Sequence, residues 1–283
     1  RVIECRRDVY SWEAPWRTTL PDGTVVRGRG NVWPFGLGTD MPAVRACYAK
    51  FAASFDGLLD RGEYCWGRVT ELRGTRYHAF GVEDGRGGVD GYMMVAQERG
   101  PKSGDHSISA SDCAFTTADA GRRLLRFLAD FSTMAETATV WGGPMHPLVM
   151  LMSSRQYRVE KKDYWMVRVL DVKSAMESRG YPACVRAECV LNVRDSIVPS
   201  NAGRWRVRIE GGRAEVSRLD EARGGDALEL GCDIRAVAAL VSGVFGVRQL
   251  LTLGWLETSD AAAVIRALDG AMPAGTPWMT DMF

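Results

Sequence analysis

What the chain lacks narrows its function sooner than what it holds. Lysine and arginine number 36 against 35 aspartates and glutamates. No basic excess is therefore left over for nucleic acid or an anionic membrane face, both of which are gripped through surplus positive charge. No apolar stretch approaches the roughly 20 residues that cross a bilayer; Val237–Phe245 is among the longest. Histidine is scarce, with only His78, His106 and His146. No two are spaced like metal ligands, and no Gly-x-Ser-x-Gly elbow accompanies them. These absences lead us to expect a protein with no nucleic-acid, membrane or metal partner, in which each histidine is structural.

Cysteine is present but unpaired. Cys5, Cys47, Cys65, Cys113, Cys184, Cys189 and Cys232 make an odd number. The nearest pair, Cys184 and Cys189, sits in a strand-like segment with no second cluster to complete a zinc site. Free thiols suit a reducing compartment, so the expected location is the cytoplasm. No signal peptide is visible, and the chain begins at Arg1 without an initiator Met, as a fragment would.

A length of 283 residues is comfortable for two domains. Val2–Val9 and Thr24–Trp33 read as strands, and the first 38 residues as the exit from a preceding domain. Asp40 is a good N-cap for a helix in which Val44, Cys47, Tyr48, Phe51 and Phe55 recur at helical spacing. Gly62–Leu72 reads as a second helix capped by Gly74. A hairpin follows, Tyr77–Glu83 and Val89–Gln97 joined by the glycine-rich turn Asp84–Gly88, then a strand Ser107–Phe115 and a helix from Thr117 to about Met134. Thr137–Trp141 is a short strand and Met145–Met152 a short helix.

Beyond a dense run of charge between Arg158 and Lys162 the rhythm changes, and we place the domain break there, giving 39–160 and 161–283. Tyr164–Leu170, Ala187–Arg194, Arg204–Glu210 and Ala214–Leu219 are strand-like. Val172–Arg179, Asp233–Val244 and Ser259–Met272 read as helices. Mixed sheets covered by helices make the fold class α+β, or mixed α/β.

Several segments, in order, resemble the enhanced-intracellular-survival family of acetyltransferases. Tyr164–Val172 is similar to the strand that opens that family's sterol-carrier-like C-terminal domain, and Arg179-Gly180-Tyr181 to the end of its short helix. Asp195 followed by Pro199-Ser200-Asn201-Ala202-Gly203-Arg204-Trp205 resembles its Asp…Pro-x-Asn-x-Gly-x-Trp turn, and Leu228–Leu230 with Asp233–Val237 its strand-to-helix junction. The middle of the chain, through Tyr48, Gly57, Asp60-Arg61, Trp66 and Gly91-Tyr92-Met93, is similar to the family's second GNAT domain. Nothing resembles the first GNAT domain, which by this resemblance carries the acetyl-CoA site and the catalytic tyrosine.

The resemblance implies an N-acetyltransferase that moves an acetyl group from acetyl-CoA to an amine on a small molecule or peptide, working as a homo-oligomer. It also implies a role for the chain end. The terminal carboxylate, here that of Phe283, would take or relay the proton an ammonium must lose before attacking a thioester. Asp281 and Met282 would then line the substrate. A tail docked only for stability is the alternative for the same residues.

The place where a GNAT fold holds the CoA pyrophosphate, a strand-to-helix turn, corresponds to Thr116–Arg122. It has a single glycine, Gly121, and an adverse Asp119, so this chain alone is not expected to bind acetyl-CoA. Gly28-Arg29-Gly30 and Gly85–Gly88 read as turns, and Asn201 and Trp205 as turn and core residues. Two other functions stay open: a carrier holding an apolar ligand beside the helix Ile234–Phe245, and a non-enzymatic assembly scaffold.

Overall fold

The computed structural model describes residues 3–13, 32–34, 41–84, 86, 88–99, 106–135, 137–144, 146–152, 157–219 and 228–281. The chain divides into two compact units. The larger comprises Arg6–Tyr164 together with the tail Trp278–Phe283, and the smaller Arg1–Cys5 with Trp165–Pro277. The stretch read from sequence as a break is a strand, Arg158–Val167. Its charged residues broke the apolar period without ending the extended backbone, and the division of the chain falls after Tyr164.

The larger unit is built on a sheet. In chain order its elements are β1 (Ile3–Glu13), β2 (Val32–Pro34), α1 (Met41–Ala52), α2 (Glu63–Thr70), β3 (Glu71–Leu72), β4 (Thr75–Arg76), β5 (His78–Glu83), β6 (Val89–Arg99), β7 (His106–Phe115), α3 (Ala118–Asp130), β8 (Thr137–Gly142), α4 (Pro147–Met150) and β9 (Arg158–Val167). The seven-stranded order is β2-β5-β6-β7-β8-β1-β9. Strand β6 is covered on both faces, which explains its unbroken apolar run. Tyr92, Met94 and Ala96 face the α1 side with Val44, Phe51 and Trp66, while Met93 and Val95 face α3 with Leu124 and Leu128.

Strands β7 and β8 are parallel, joined by the crossover through α3. Their pairing runs from Ser107↔Thr137 to Ala110↔Val140 and goes no further, although β7 continues to Phe115. The two strands part there, with Ser111 and Asp112 on β7 and Trp141 and Gly142 on β8 lying beyond the last paired residues.

Two expectations in this unit change. The helix read as Gly62–Leu72 ends at Thr70, and Glu71–Leu72 pairs with Thr75–Arg76 across a two-residue turn. Arg73 and Gly74 both have positive φ, 52° and 84°, as a hairpin turn of this length requires, so Gly74 is a turn residue and not a helix cap. The strand expected at Thr24–Trp33 lies outside the described residues except at its end, which is β2.

In the smaller unit come α5 (Val172–Ser178), β10 (Ala187–Arg194), β11 (Gly203–Glu210), β12 (Arg213–Leu219), β13 (Leu228–Asp233), α6 (Ile234–Ser242), α7 (Val247–Thr252), β14 (Leu256–Glu257) and α8 (Ala261–Leu268). The sheet order is β12-β11-β10-β13-β14, with β10 and β13 parallel and the other pairs antiparallel. Helix α6 starts on an Asp233 cap and stops at left-handed Gly243. Ile234, Ala236, Val237, Ala238, Ala239 and Leu240 are all buried in the core, so the helix proposed as a cavity wall packs on its sheet. The short α7 and β14 were not legible in the sequence.

The Asp-to-Trp turn of this unit is a structural knot. The Asp195 carboxylate pairs with the Arg168 guanidinium at 2.6 Å and accepts hydrogen bonds from the Ile197 and Val198 N–H groups and from the Asn201 amide. The Asn201 Oδ1 accepts from Val172 N, and the Trp205 indole donates to the Asn201 carbonyl. Every polar group that the motif brings inside is thereby paired, and the motif's residue types follow from that requirement.

Candidate functional site

The loop leaving α1 and entering α2 turns Arg61 inward. Its guanidinium is 1% exposed, an expensive position for a permanent charge unless partners surround it. Asp112, past the parting of β7 and β8, supplies one partner as a two-point clamp, Nη1 to Oδ2 at 2.6 Å and Nη2 to Oδ1 at 3.0 Å. The Tyr92 hydroxyl, from β6, donates to the same Asp112 Oδ2 at 2.5 Å. The Tyr48 ring lies flat against the cation, 3.8 Å from its centroid to Cζ, and the Trp66 ring stands at 5.0 Å. Tyr48 is itself fixed by donating its hydroxyl to the Leu59 carbonyl.

The tail completes the cluster. Asp281 Oδ1 sits 2.7 Å from Arg61 Nε, with its side chain 1% exposed, and Thr280 Oγ1 accepts from Arg61 Nη2 at 3.3 Å. Three residues earlier Trp278 is buried, its N–H donating to the Asp56 carbonyl and its ring set among Phe51, Phe55 and His146. A small hollow beside these residues is lined by Ser111, Trp141, Thr280 and Asp281, so the tail lies where β7 and β8 part.

One guanidinium thus faces two buried carboxylates. Burial pushes the Asp281 carboxyl above its ordinary range; Arg61 pulls it back, and Asp112 pushes it up again. Burial and then the Asp112 charge raise the Tyr92 phenol well above its usual value, so it stays a neutral donor. The sequence called Asp281 a substrate contact, and the structure places its carboxylate on Arg61. Met282 and Phe283, the other two expected site residues, lie outside the described residues.

The expected pyrophosphate turn is built for other purposes. Thr117 caps α3 by accepting from Ala120 N–H at 3.2 Å, and Gly121 N–H bonds the Thr117 carbonyl. Asp119 pairs with Arg123 at 2.9 Å, one turn on. A Cβ on Gly121 would meet Leu151 Cδ1 at 2.5 Å and the Phe115 ring at 2.8 Å, so the glycine is a packing residue. With a capped first turn, an acidic neighbour and its glycine turned inward, this loop does not fit a CoA pyrophosphate.

Among the histidines, His146 is buried and His78 exposed. Burial lowers His146 to about 4, against smaller raising effects of Asp112 and the Cys113 backbone; its Nδ1 accepts from Leu148 N–H. Among the described residues no three His, Cys, Asp or Glu side chains are grouped to hold a metal. Burial is the first cause that raises Cys47, Cys189 and Cys232, each to about 12, which makes them poor nucleophiles. Sequence reasoning missed the Arg61–Asp112–Tyr92 cluster, although one sign was there. Asp112 is the lone acid in a strand otherwise made of serine, histidine and apolar residues, and a buried acid needs a cation beside it.

Two family profiles match the chain, an acetyltransferase (GNAT) domain over residues 57–169 and a sterol carrier protein domain over residues 172–280. An uncharacterized N-acetyltransferase of Streptomyces coelicolor is 26% identical over 261 residues, covering 86% of this chain and 59% of its own. The N-acetyltransferase Eis of Mycobacterium tuberculosis is 30% identical over 195 residues, covering 68% of this chain and 44% of its own. The chain therefore spans about half the length of these relatives. Among solved structures, a GCN5-related N-acetyltransferase from Anabaena variabilis superposes with a TM-score of 0.84 at 24% identity, covering 99% of this chain and 68% of that one. Eis1 from Mycobacterium abscessus gives 0.67 at 20%, covering 99% and 69%. At these identities the superpositions speak for the fold alone.

Proposed function

This chain belongs to the Eis-like family of GNAT N-acetyltransferases, and from that premise we propose that it forms the second GNAT unit and the sterol carrier unit of an enzyme that acetylates an amine. The acetyl donor is acetyl-CoA, held by a GNAT domain other than this one, since the turn at Thr117–Gly121 does not fit it. The acceptor is an amine on a small molecule or peptide, and the enzyme is a cytoplasmic homo-oligomer.

The observation that carries this reading is the return of the tail to the GNAT unit, clamped by Trp278 and by the Arg61–Asp281 pair. A tail ordered only for stability needs apolar burial and no more; this one also carries an acid to a buried cation. In our reading Arg61 and Trp278 hold the tail, and the Phe283 carboxylate takes the proton released as the amine attacks. Transition-state charge is stabilised by donors of the domain that binds the thioester.

The test is acetyl transfer by the full-length parent protein. Thiol release from acetyl-CoA is followed over a panel of small amines and amino-terminal peptides, with a parallel enzyme extended by several residues after Phe283. Turnover that falls about 100-fold on extension, the scale of general acid–base assistance, supports the reading. A parent protein that acetylates no amine, or an extended one with undiminished turnover, counts against it.

A further inference from the structure

We propose that the small hollow beside Asp281 is a binding site for one water molecule, held between the Asp281 carboxylate and Arg68. The proposal stands whatever reaction the parent enzyme performs. It starts from an imbalance between the two acids that share Arg61. Asp112 is fully used, for it receives both terminal nitrogens of the guanidinium and the Tyr92 hydroxyl. Asp281 is not. Its Oδ1 lies 2.7 Å from Arg61 Nε with the side chain 1% exposed, yet that N–H is not aligned to donate, and among the described residues no group donates to either oxygen. An ionised carboxylate offers about four acceptor positions. A nearby cation supplies charge but leaves those positions unmet, and buried polar groups in folded proteins are almost always paired with protein or with ordered water.

The hollow has a volume of about 20 Å³, and Arg68, Ser111, Thr280 and Asp281 supply its polar lining. One water needs roughly 10–15 Å³, so there is room for one and not for a chain of them. The lining decides which small species fits. Asp281, ionised beside Arg61, can only accept. Arg68 can only donate, and its Nε is buried with no partner among the described residues. Ser111 gives its proton to the Val69 carbonyl at 2.6 Å and keeps lone pairs with which to accept. A metal ion or an ammonium would face the Arg68 guanidinium, and an anion would face Asp281. Only a neutral molecule that both donates and accepts suits the two, and at this volume that molecule is water. It donates to Asp281 and Ser111 and accepts from Arg68, three bonds, the usual number for a buried water. Burial pushes the Asp281 carboxyl upward, and a water donating to it favours the charged form that Arg61 needs. The water thereby joins the tail to α2, which carries Arg68, and to β7, which carries Ser111.

Two measurements test this. The first is a crystal structure of the 283-residue chain at a resolution that shows ordered water, with a second crystal soaked in a rubidium salt. We expect one density peak in the hollow, within about 3.2 Å of an Asp281 oxygen and of Arg68 Nε or Ser111 Oγ, and no anomalous signal from rubidium there. A hollow without density overturns the proposal, and a rubidium peak overturns it in favour of a monovalent cation. The second measurement compares thermal unfolding of Ser111→Ala with that of Ser111→Val. Both lose the hydroxyl and its bond to Val69, but only valine adds methyl groups that fill the hollow. Filling a dry cavity stabilises a protein. Filling a wet one does not, because the methyls displace the molecule that pairs Asp281 with Arg68. We expect Ser111→Val to melt below Ser111→Ala by about 2 °C or more. A valine variant that melts at or above the alanine variant overturns the proposal.

Discussion

Trp278 packs so closely on Gly143 that a Cβ at that position would overlap the indole at Cγ and Cδ2. The glycine, one residue beyond the end of β8, leaves the space into which the tail lays its ring. Gly143→Ala should therefore lift the tail without touching Arg61. We expect a loss of about 1–3 kcal/mol, the usual cost of overpacking, read by urea denaturation. Faster exchange of the 278–283 amides should accompany it. A variant as stable as wild type would mean that the indole has room to move aside.

The turn at Thr117 makes a second prediction. Titration calorimetry of the 283-residue chain with acetyl-CoA should show no saturable heat in the micromolar range, because Thr117 occupies the Ala120 N–H of the first turn and Asp119 places a negative charge there. Asp119→Asn should not create binding, since Gly121 is committed to Phe115 and Leu151. Micromolar affinity in either protein would contradict this account of the loop.

A third prediction concerns the knot at Asp195. Burial alone would raise its carboxyl, but the Arg168 guanidinium, the Val198 and Ile197 N–H groups and the Asn201 amide outweigh it and hold the group well below the usual carboxylate range. With the folded value depressed, the contribution to stability is complete above the unfolded value near 4 and is lost as pH falls below it. Asp195→Asn, which leaves Arg168 without its partner, should cost the smaller unit about 3–5 kcal/mol at neutral pH, as broken buried pairs do. It should also flatten the acid limb of stability below about pH 4. Denaturant titrations at several acid pH values check both.

The ease with which these features were read differs for physical reasons. Strands β6, β7 and β10 and helices α3, α6 and α8 were legible because period and caps agreed: alternating or continuous apolar runs, and Thr117, Asp233 and Asp260 before each helix, although left-handed Gly243 stops α6 short of the Val244 end read from sequence. The continuation of β9 through its charged run was hidden, because an edge strand satisfies its backbone without an apolar period. The turn at Arg73-Gly74 was misread because a glycine after a helical run signals a cap as readily as a hairpin, and only the φ of Arg73 separates the two. The Arg61 cluster was the least legible part. Its members come from positions 48, 61, 92, 112 and 281, and no local pattern links residues that meet only when sheet and tail come together.

His146 gives the last prediction. It sits at the N-cap of α4, where Nδ1 accepts the Leu148 N–H at 3.1 Å, and its ring stands among Phe51 and Trp278. Burial lowers its pKa to about 4, against an ordinary value near 6.5, so at neutral pH the ring is uncharged. Between those two values the unfolded chain binds a proton that the folded chain refuses. Stability of the larger unit must then fall as pH is lowered through 6.5, and this contribution levels off below about 4. The slope is at most about 1.4 kcal/mol per pH unit, and the whole effect on the order of 3 kcal/mol. His146→Asn puts an amide oxygen where Nδ1 accepts, keeping the cap while removing the titration. We expect the difference in unfolding free energy between wild type and His146→Asn to shrink steadily from pH 7 to pH 4.5, with other carboxylates cancelling in the comparison. A constant difference across that range would show that His146 takes up its proton without resistance. The aromatic seat it shares with Trp278 would then be open to water.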